Sequence, residues 1–259
     1  MCLFSSAQNP KIIAHRGASG YCPENTLSAV QKALNIGVDL VEIDIHLSKD
    51  GEVVVIHDET LDRTTDGEGL VEDFTLEELR KLDAGTWFDE KFKGEQIPTL
   101  EEVLKLCIGK AIVLIEVKKG KDYYKEIEAK SWKIIQELGA EEWVEFQSFY
   151  DHSLYQMELA NITVPIHKLV VGVYPGLPLY IDQKLKFGNY FNKNEISING
   201  LNPNVKFVTK AFMNRINSES LSTYVWTVNE IDEMHKLIGC GVDGIITNYP
   251  LELKELLNE

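Results

Sequence analysis

Apolar runs of strand length alternate with amphipathic stretches of helix length from one end of the chain to the other. Residues 12–14 read as a short strand, followed by a helix that opens near Pro23, runs to about Leu34 and is stopped by Gly37. Residues 38–45 read as the second strand, and Asp50-Gly51 turns the chain into a further strand-like run at 52–56. A strong strand at 112–117 precedes a helix near 124–138, and 143–147 precedes a helix near 151–159. Weaker strand candidates lie at 166–173 and 195–199. Beyond them, 207–216 reads as helix, 223–228 as strand, 230–238 as helix, 242–247 as strand, and the tail after Pro250 as helix.

Several of these strands, such as 111–115 and 242–246, are continuously apolar, which suits parallel strands buried on both faces. Roughly eight β-then-α units with no compositional break favour a closed (β/α)8 TIM barrel, α/β in class, as a single domain over residues 1–259. The alternative, a doubly wound open sheet, lacks its glycine-rich turn, because residues 15–20 do not carry the GxGxxG spacing. One segment breaks the rhythm. Residues 59–98 are polar and rich in turn formers, with only a short helix expected near 76–82, as befits an insertion beside a site.

On the second strand, Glu42 and Asp44 are two residues apart and therefore face one way. Like charges held side by side repel unless a cation lies between them. Glu116 lies near the end of a later strand, and barrel strands converge at their C-terminal rim, so it can join the pair. Three carboxylates without a cysteine form a hard oxygen set, better suited to Mg²⁺ or Ca²⁺ than to zinc. His15, ending the first strand, and His57, following the run at 52–56, are candidate proton carriers near neutral pH. His46 shares the parity of the acid pair and is a possible fourth ligand, though its place nearer the strand's exit reads as rim. His152, His167 and His235 are given no role, since no acidic partner is evident. Arg16 and Lys118 add two cations at the same rim and can hold an anion. Asn25 can also simply cap a helix, and Trp226 can line a pocket or pack in the core.

Charge narrows the partners. With a formal net charge of -15 and no long basic run, the chain is not expected to bind nucleic acid or an anionic membrane. An anionic substrate would have to be attracted locally, by a metal and a few placed cations. Cys2, Cys22, Cys107 and Cys240 are scattered, without thiol-zinc spacing or a disulfide framework. Neither a signal peptide nor a membrane-spanning run is evident, so the expected location is cytoplasmic. Oligomeric state stays open, a homodimer included.

His15-Arg16-Gly17 with Pro23-Glu24-Asn25-Thr26, Val41-Glu42-Ile43-Asp44, and His57-Asp58 with Leu61-Asp62-Arg63-Thr64-Thr65 resemble the glycerophosphodiester phosphodiesterases, bacterial cytoplasmic type. The resemblance continues through Ile115-Glu116-Val117-Lys118, Gln147-Ser148-Phe149, Trp226-Thr227-Val228-Asn229 and Gly241 to Thr247. It covers nearly the whole chain and is weakest at about 165–207. It implies a TIM barrel with a small capping insertion after the second β/α unit, and one divalent cation on Glu42, Asp44 and Glu116. It further implies acid–base roles for His15 and His57, phosphate contacts from Arg16 and Lys118, and Phe149 and Trp226 near the alcohol moiety. Asn25 joins the substrate-binding candidates. The family usually has an acid after Ile-Ile-Thr, where this chain has Asn248.

The expected reaction is metal-dependent hydrolysis of glycerophosphodiesters, such as deacylated phospholipid headgroups, to sn-glycerol 3-phosphate and an alcohol. Two alternatives stand beside it: a phosphoinositide-type lyase releasing a cyclic phosphate, and a silent barrel that binds a phosphodiester without turnover. Which histidine is acid and which base, and whether water attacks directly, are left open.

Overall fold

The computed structural model describes residues 9–173, 179–181, 187–189 and 197–259. Its elements in chain order begin with β1 (Lys11–Ala14), α1 (Leu27–Ile36), β2 (Leu40–Leu47), β3 (Val53–Val55), α2 (Leu76–Leu79) and α3 (Leu100–Cys107). They continue with β4 (Ile112–Val117), α4 (Ile127–Leu138), β5 (Val144–Ser148), α5 (Asp151–Leu159), β6 (Ile166–Val170), β7 (Gly172–Val173), β8 (Leu179–Ile181) and β9 (Phe187–Asn189). The last are β10 (Gly200–Pro203), α6 (Lys210–Ser218), β11 (Tyr224–Val225), α7 (Ile231–Cys240), β12 (Gly244–Thr247) and α8 (Pro250–Leu257).

Eight strands run parallel in the order β10-β6-β5-β4-β2-β1-β12-β11. Parallel bridges Gly200–Ser222 and Asn204–Trp226 join the two end strands, which closes the ring into a TIM barrel. Strand parity sorts the side chains. Val41, Ile43, Ile45, Val113 and Ile115 belong to the large core packed toward the helices, whereas Leu40, Leu114, Ile13, Tyr224 and Ile246 form a small separate cluster. Glu42, Asp44 and Glu116 share the parity of that second set, so they point into the barrel above an apolar floor.

The insertion occupies a definite place. β3 folds back antiparallel on β2 through a turn in which Gly51 has φ +83°. Residues 59–98 then run between β3 and α3, so the insertion lies within the second β/α unit, ahead of its helix, and not after that unit as expected. Their apolar side chains Leu61, Val71, Leu79, Ala84 and Ile97 pack with Val54 and Ile56 into a small core of their own.

Three further expectations shift. α1 begins at Leu27 with Thr26 as its cap, so Pro23 precedes the helix, and its carbonyl accepts the Thr26 hydroxyl. The strand expected at 166–173 is divided: β6 ends at Val170, and Gly172–Val173 is β7, which belongs to the separate antiparallel sheet β7–β8–β9. The strand expected at 195–199 is β10, Gly200–Pro203, while 195 and 196 lie outside the described residues. A strand written Gly-Leu-Asn-Pro carries turn formers at both ends, which hides it from periodicity. Glycine is required there because a Cβ at Gly200 would come 2.3 Å from His167 Nδ1.

Candidate active site

The rim residues begin with an irregular turn after β1. His15 and Arg16 follow the strand directly, and Arg16 takes φ +54°, so its backbone N–H reaches Glu42 Oε2 at 2.9 Å. Gly17 makes that turn possible: its φ is +75°, and a Cβ would lie 2.7 Å from the Ala29 backbone. Register does the rest, pairing Asp44 with Glu116 and Glu116 with Gln147 across β2, β4 and β5.

Glu42, Asp44 and Glu116 each offer an oxygen within 4.8 Å of the others, and all three are buried. Burial and mutual repulsion push the Glu42 carboxyl well above its usual range and Glu116 up to about 7. Asp44 goes the other way despite its burial, since Lys118 and Arg16 hold it well below the usual carboxylate range. Lys118 Nζ donates to Glu116 Oε1 and stands 3.0 Å from Asp44 Oδ1, while Arg16 Nε stands 3.3 Å from Asp44 Oδ2. Three buried acids facing two cations leave one negative charge in excess when all are ionised. An all-oxygen donor set with that excess fits a hard divalent cation.

A cavity of about 180 Å³ opens onto this cluster. His15, Arg16, Glu42, His57, Glu116, Lys118 and Gln147 line its polar side; Phe149, Leu169, Val171, Trp226 and Ile246 line its apolar side. Phe149 and Trp226 meet edge to face with ring centroids 5.3 Å apart, and the indole N–H donates to the Asn202 carbonyl at 2.7 Å. The structure therefore gathers eight sequence-identified residues at one cavity, with Asp44 packed behind them.

Two candidates take other places. Asn25 is buried and uses both ends of its amide on Asp44, donating to Oδ2 at 2.9 Å and accepting from the backbone N–H at 3.3 Å. It neither caps α1 nor lines the cavity; its φ of +57° aims it at the carboxylate. His46 is buried rather than at the rim, 2.8 Å from the Tyr124 hydroxyl and 3.1 Å from the His57 carbonyl. A carbonyl only accepts, so His46 Nε2 carries the proton and tethers the His57 backbone. Burial lowers the His46 pKa to about 4 and keeps the ring neutral.

The two cavity histidines are backed differently. His15 Nδ1 lies 2.6 Å from Asn248 Oδ1, and burial, helped by Arg16, lowers its pKa to about 3. His57 Nδ1 lies 2.6 Å from Asp58 Oδ1; burial lowers its pKa too, against the pull of Asp44 and Asp58. Arg63 ties Asp58 to Glu24, and Glu24 in turn accepts from Arg16 at 2.8 Å. Glu24, Asp58, Arg63 and Gln147 were given no role by sequence reasoning, and Asn248 was noted only as a departure from the family's usual acid. Glu24 adjoins Asn25, Asp58 adjoins His57 and Gln147 lies two positions from Phe149, whereas Arg63 and Asn248 stand apart from any assigned residue. His167, assigned no acidic partner, stands on β6 with Nε2 3.5 Å from Glu145 Oε2 and its ring stacked on Tyr224.

The glycerophosphoryl diester phosphodiesterase family model matches residues 15–252. The chain belongs to this family. It is 41% identical over 249 residues to a glycerophosphodiester phosphodiesterase of Caldanaerobacter subterraneus subsp. tengcongensis, covering 96% of this chain and 98% of the relative. A Bacillus subtilis glycerophosphodiester phosphodiesterase is 35% identical over 92% of this chain and 83% of its own length. Among solved structures, an Oleispira antarctica phosphodiesterase in complex with the product sn-glycerol-3-phosphate matches with a TM-score of 0.82 at 28% identity. The match spans 97% of this chain and 98% of that one. An Agrobacterium tumefaciens glycerophosphodiester phosphodiesterase matches at TM-score 0.76 and 27% identity over 95% and 99% of the two chains. Like its family, this protein is a phosphoric diester hydrolase acting on a small molecule. Among the described residues no helix is long and apolar enough to cross a membrane.

Proposed function

We propose that the enzyme hydrolyses glycerophosphodiesters to sn-glycerol 3-phosphate and a free alcohol, using one divalent cation, Mg²⁺ or Ca²⁺. The observation that carries the metal is the buried triad of Glu42, Asp44 and Glu116, two of whose carboxyls resist ionisation without a cation. The product named for the Oleispira structure supports the glycerol-phosphate half of the substrate, the half that keeps the phosphoryl group.

The bound cation would supply Lewis acidity to a phosphate oxygen and neutralise charge developing in the transition state. Around it, Arg16 and Lys118 hold the diester's remaining oxygens, and Phe149 and Trp226 form the wall against its carbon skeleton. His15 is the base in this reading. Its Nδ1–H donates a hydrogen bond to Asn248 Oδ1, so the Nε2 lone pair is left to accept a proton from the nucleophile. His57, backed by the Asp58 carboxylate, holds the proton that goes to the departing alkoxide. Residues 59–98 act as a cap whose Arg63 holds Asp58 in place beside His57.

Product analysis with glycerophosphocholine and glycerophosphoinositol tests this reading. sn-Glycerol 3-phosphate with choline or inositol is expected from both. A cyclic inositol phosphate would instead establish the lyase, and saturable binding without turnover would establish a silent barrel.

A further inference from the structure

A line of side-chain amides runs from Glu42 into the barrel. Gln147 Nε2 donates to Glu42 Oε1 at 3.2 Å, and Asn202 Nδ2 donates to Gln147 Oε1 at 3.0 Å. Asn202 Oδ1 accepts from the Tyr224 backbone N–H at 3.0 Å and lies 3.2 Å from His167 Nδ1. Glu42, Gln147, Asn202 and Tyr224 are at most 2% exposed, so water does not compete for these bonds.

An amide side chain can turn over and exchange donor for acceptor; a backbone N–H cannot. The Tyr224 N–H therefore obliges Asn202 to face it with oxygen. Asn202 must then offer its NH₂ to Gln147, which faces it with oxygen and offers NH₂ to Glu42. One immovable peptide on β11 thus sets the polarity of a ladder that crosses from β10 to β5 to β2. The other Glu42 oxygen is held by a second backbone donor, the N–H of Arg16 at 2.9 Å. Both oxygens of one carboxylate in the acid triad are thereby oriented by peptide groups, one in the turn after β1 and the other, through two amides, on β11.

We infer that Gln147 and Asn202 are positioning residues: they orient Glu42 for the divalent cation, with Tyr224's peptide setting the direction. The inference rests on the metal reading above. Partners of this type that support a metal ligand change affinity by about 10–100-fold when lost.

The test is calorimetric titration of the chelator-stripped full chain with Mg²⁺ and, separately, Ca²⁺, alongside its metal-free thermal midpoint. Gln147→Met keeps the bulk and removes the donor, and Kd is expected to rise by about tenfold. Asn202→Asp, titrated above about pH 8 so that the new carboxylate is ionised, still accepts from Tyr224 but cannot donate. Gln147 then turns over and faces Glu42 with its oxygen. The two explanations differ in sign here: an added negative charge alone tightens a divalent cation, whereas a reversed ladder weakens it. Weaker binding in both variants upholds the inference. Kd unchanged in Gln147→Met, or unchanged or lower in Asn202→Asp, overturns it, whatever happens to the metal-free midpoint. Failure of the unaltered protein to bind either cation would instead bring down the metal reading, and this inference with it.

Discussion

His15 and His57 show how one neighbouring atom divides two otherwise similar side chains. A carboxylate beside a histidine stabilises the imidazolium; an amide oxygen orients the ring with only its dipole. His15 has the amide, Asn248, and with burial its pKa falls to about 3. Asn248→Asp should therefore raise the His15 pKa, since it puts a full negative charge 2.6 Å from Nδ1. If His15 is the base, it must be neutral to act, so the acid limb of kcat/KM at saturating cation moves to higher pH. A limb that stays where it was would show that His15 does not titrate as the base. The same sign governs stability: a histidine held neutral when folded costs stability as pH falls from about 6.5 toward about 3, where only the unfolded chain takes up the proton.

The elements explain why these residues meet. Strands supply the acids by parity and register, whereas the turn after β1 and the segment after β3 supply the groups that face them. Residues 59–98 rest on a small core, and Leu79 is fully buried in it. Leu79→Ala is expected to cost about 2–5 kcal/mol of local stability. Limited proteolysis should then cleave first within 59–98 while the barrel persists. Cleavage at the rate of the unaltered chain would mean that the segment is held by something other than this core. Much of the arrangement was legible in the chain. Val-Glu-Ile-Asp on a strand can only put both acids on one face, and continuous apolar runs suit barrel strands. What was not legible depends on distance in sequence. Asn248 meets His15, and Asn202 meets Gln147, only because the barrel closes. Asn25 looks the same before a helix whether it caps or supports a carboxylate, and only its positive φ decides. β10 was hidden because its Gly and Pro read as turn.

For the molecule as a whole, the question is how a chain of formal charge -15 binds a phosphodiester. On the proposed reading it does so with local cations, Arg16 and Lys118, which are engaged with acids at one rim. The glutamates of the acid triad make the proposed cation uptake sensitive to pH. Glu116, pushed up to about 7, and Glu42, also raised, must shed protons to act as ligands, so affinity is expected to rise with pH and fall below about 7. The most direct test is the rate of sn-glycerol 3-phosphate release from glycerophosphocholine by chelator-stripped enzyme as Mg²⁺ or Ca²⁺ is added back, for the unaltered chain and Glu42→Gln. Near-zero turnover when stripped, saturable recovery at lower cation concentration as pH rises, and no comparable recovery in Glu42→Gln are expected. Full turnover by the stripped enzyme, or Glu42→Gln behaving as the unaltered chain, would contradict the metal-dependent account.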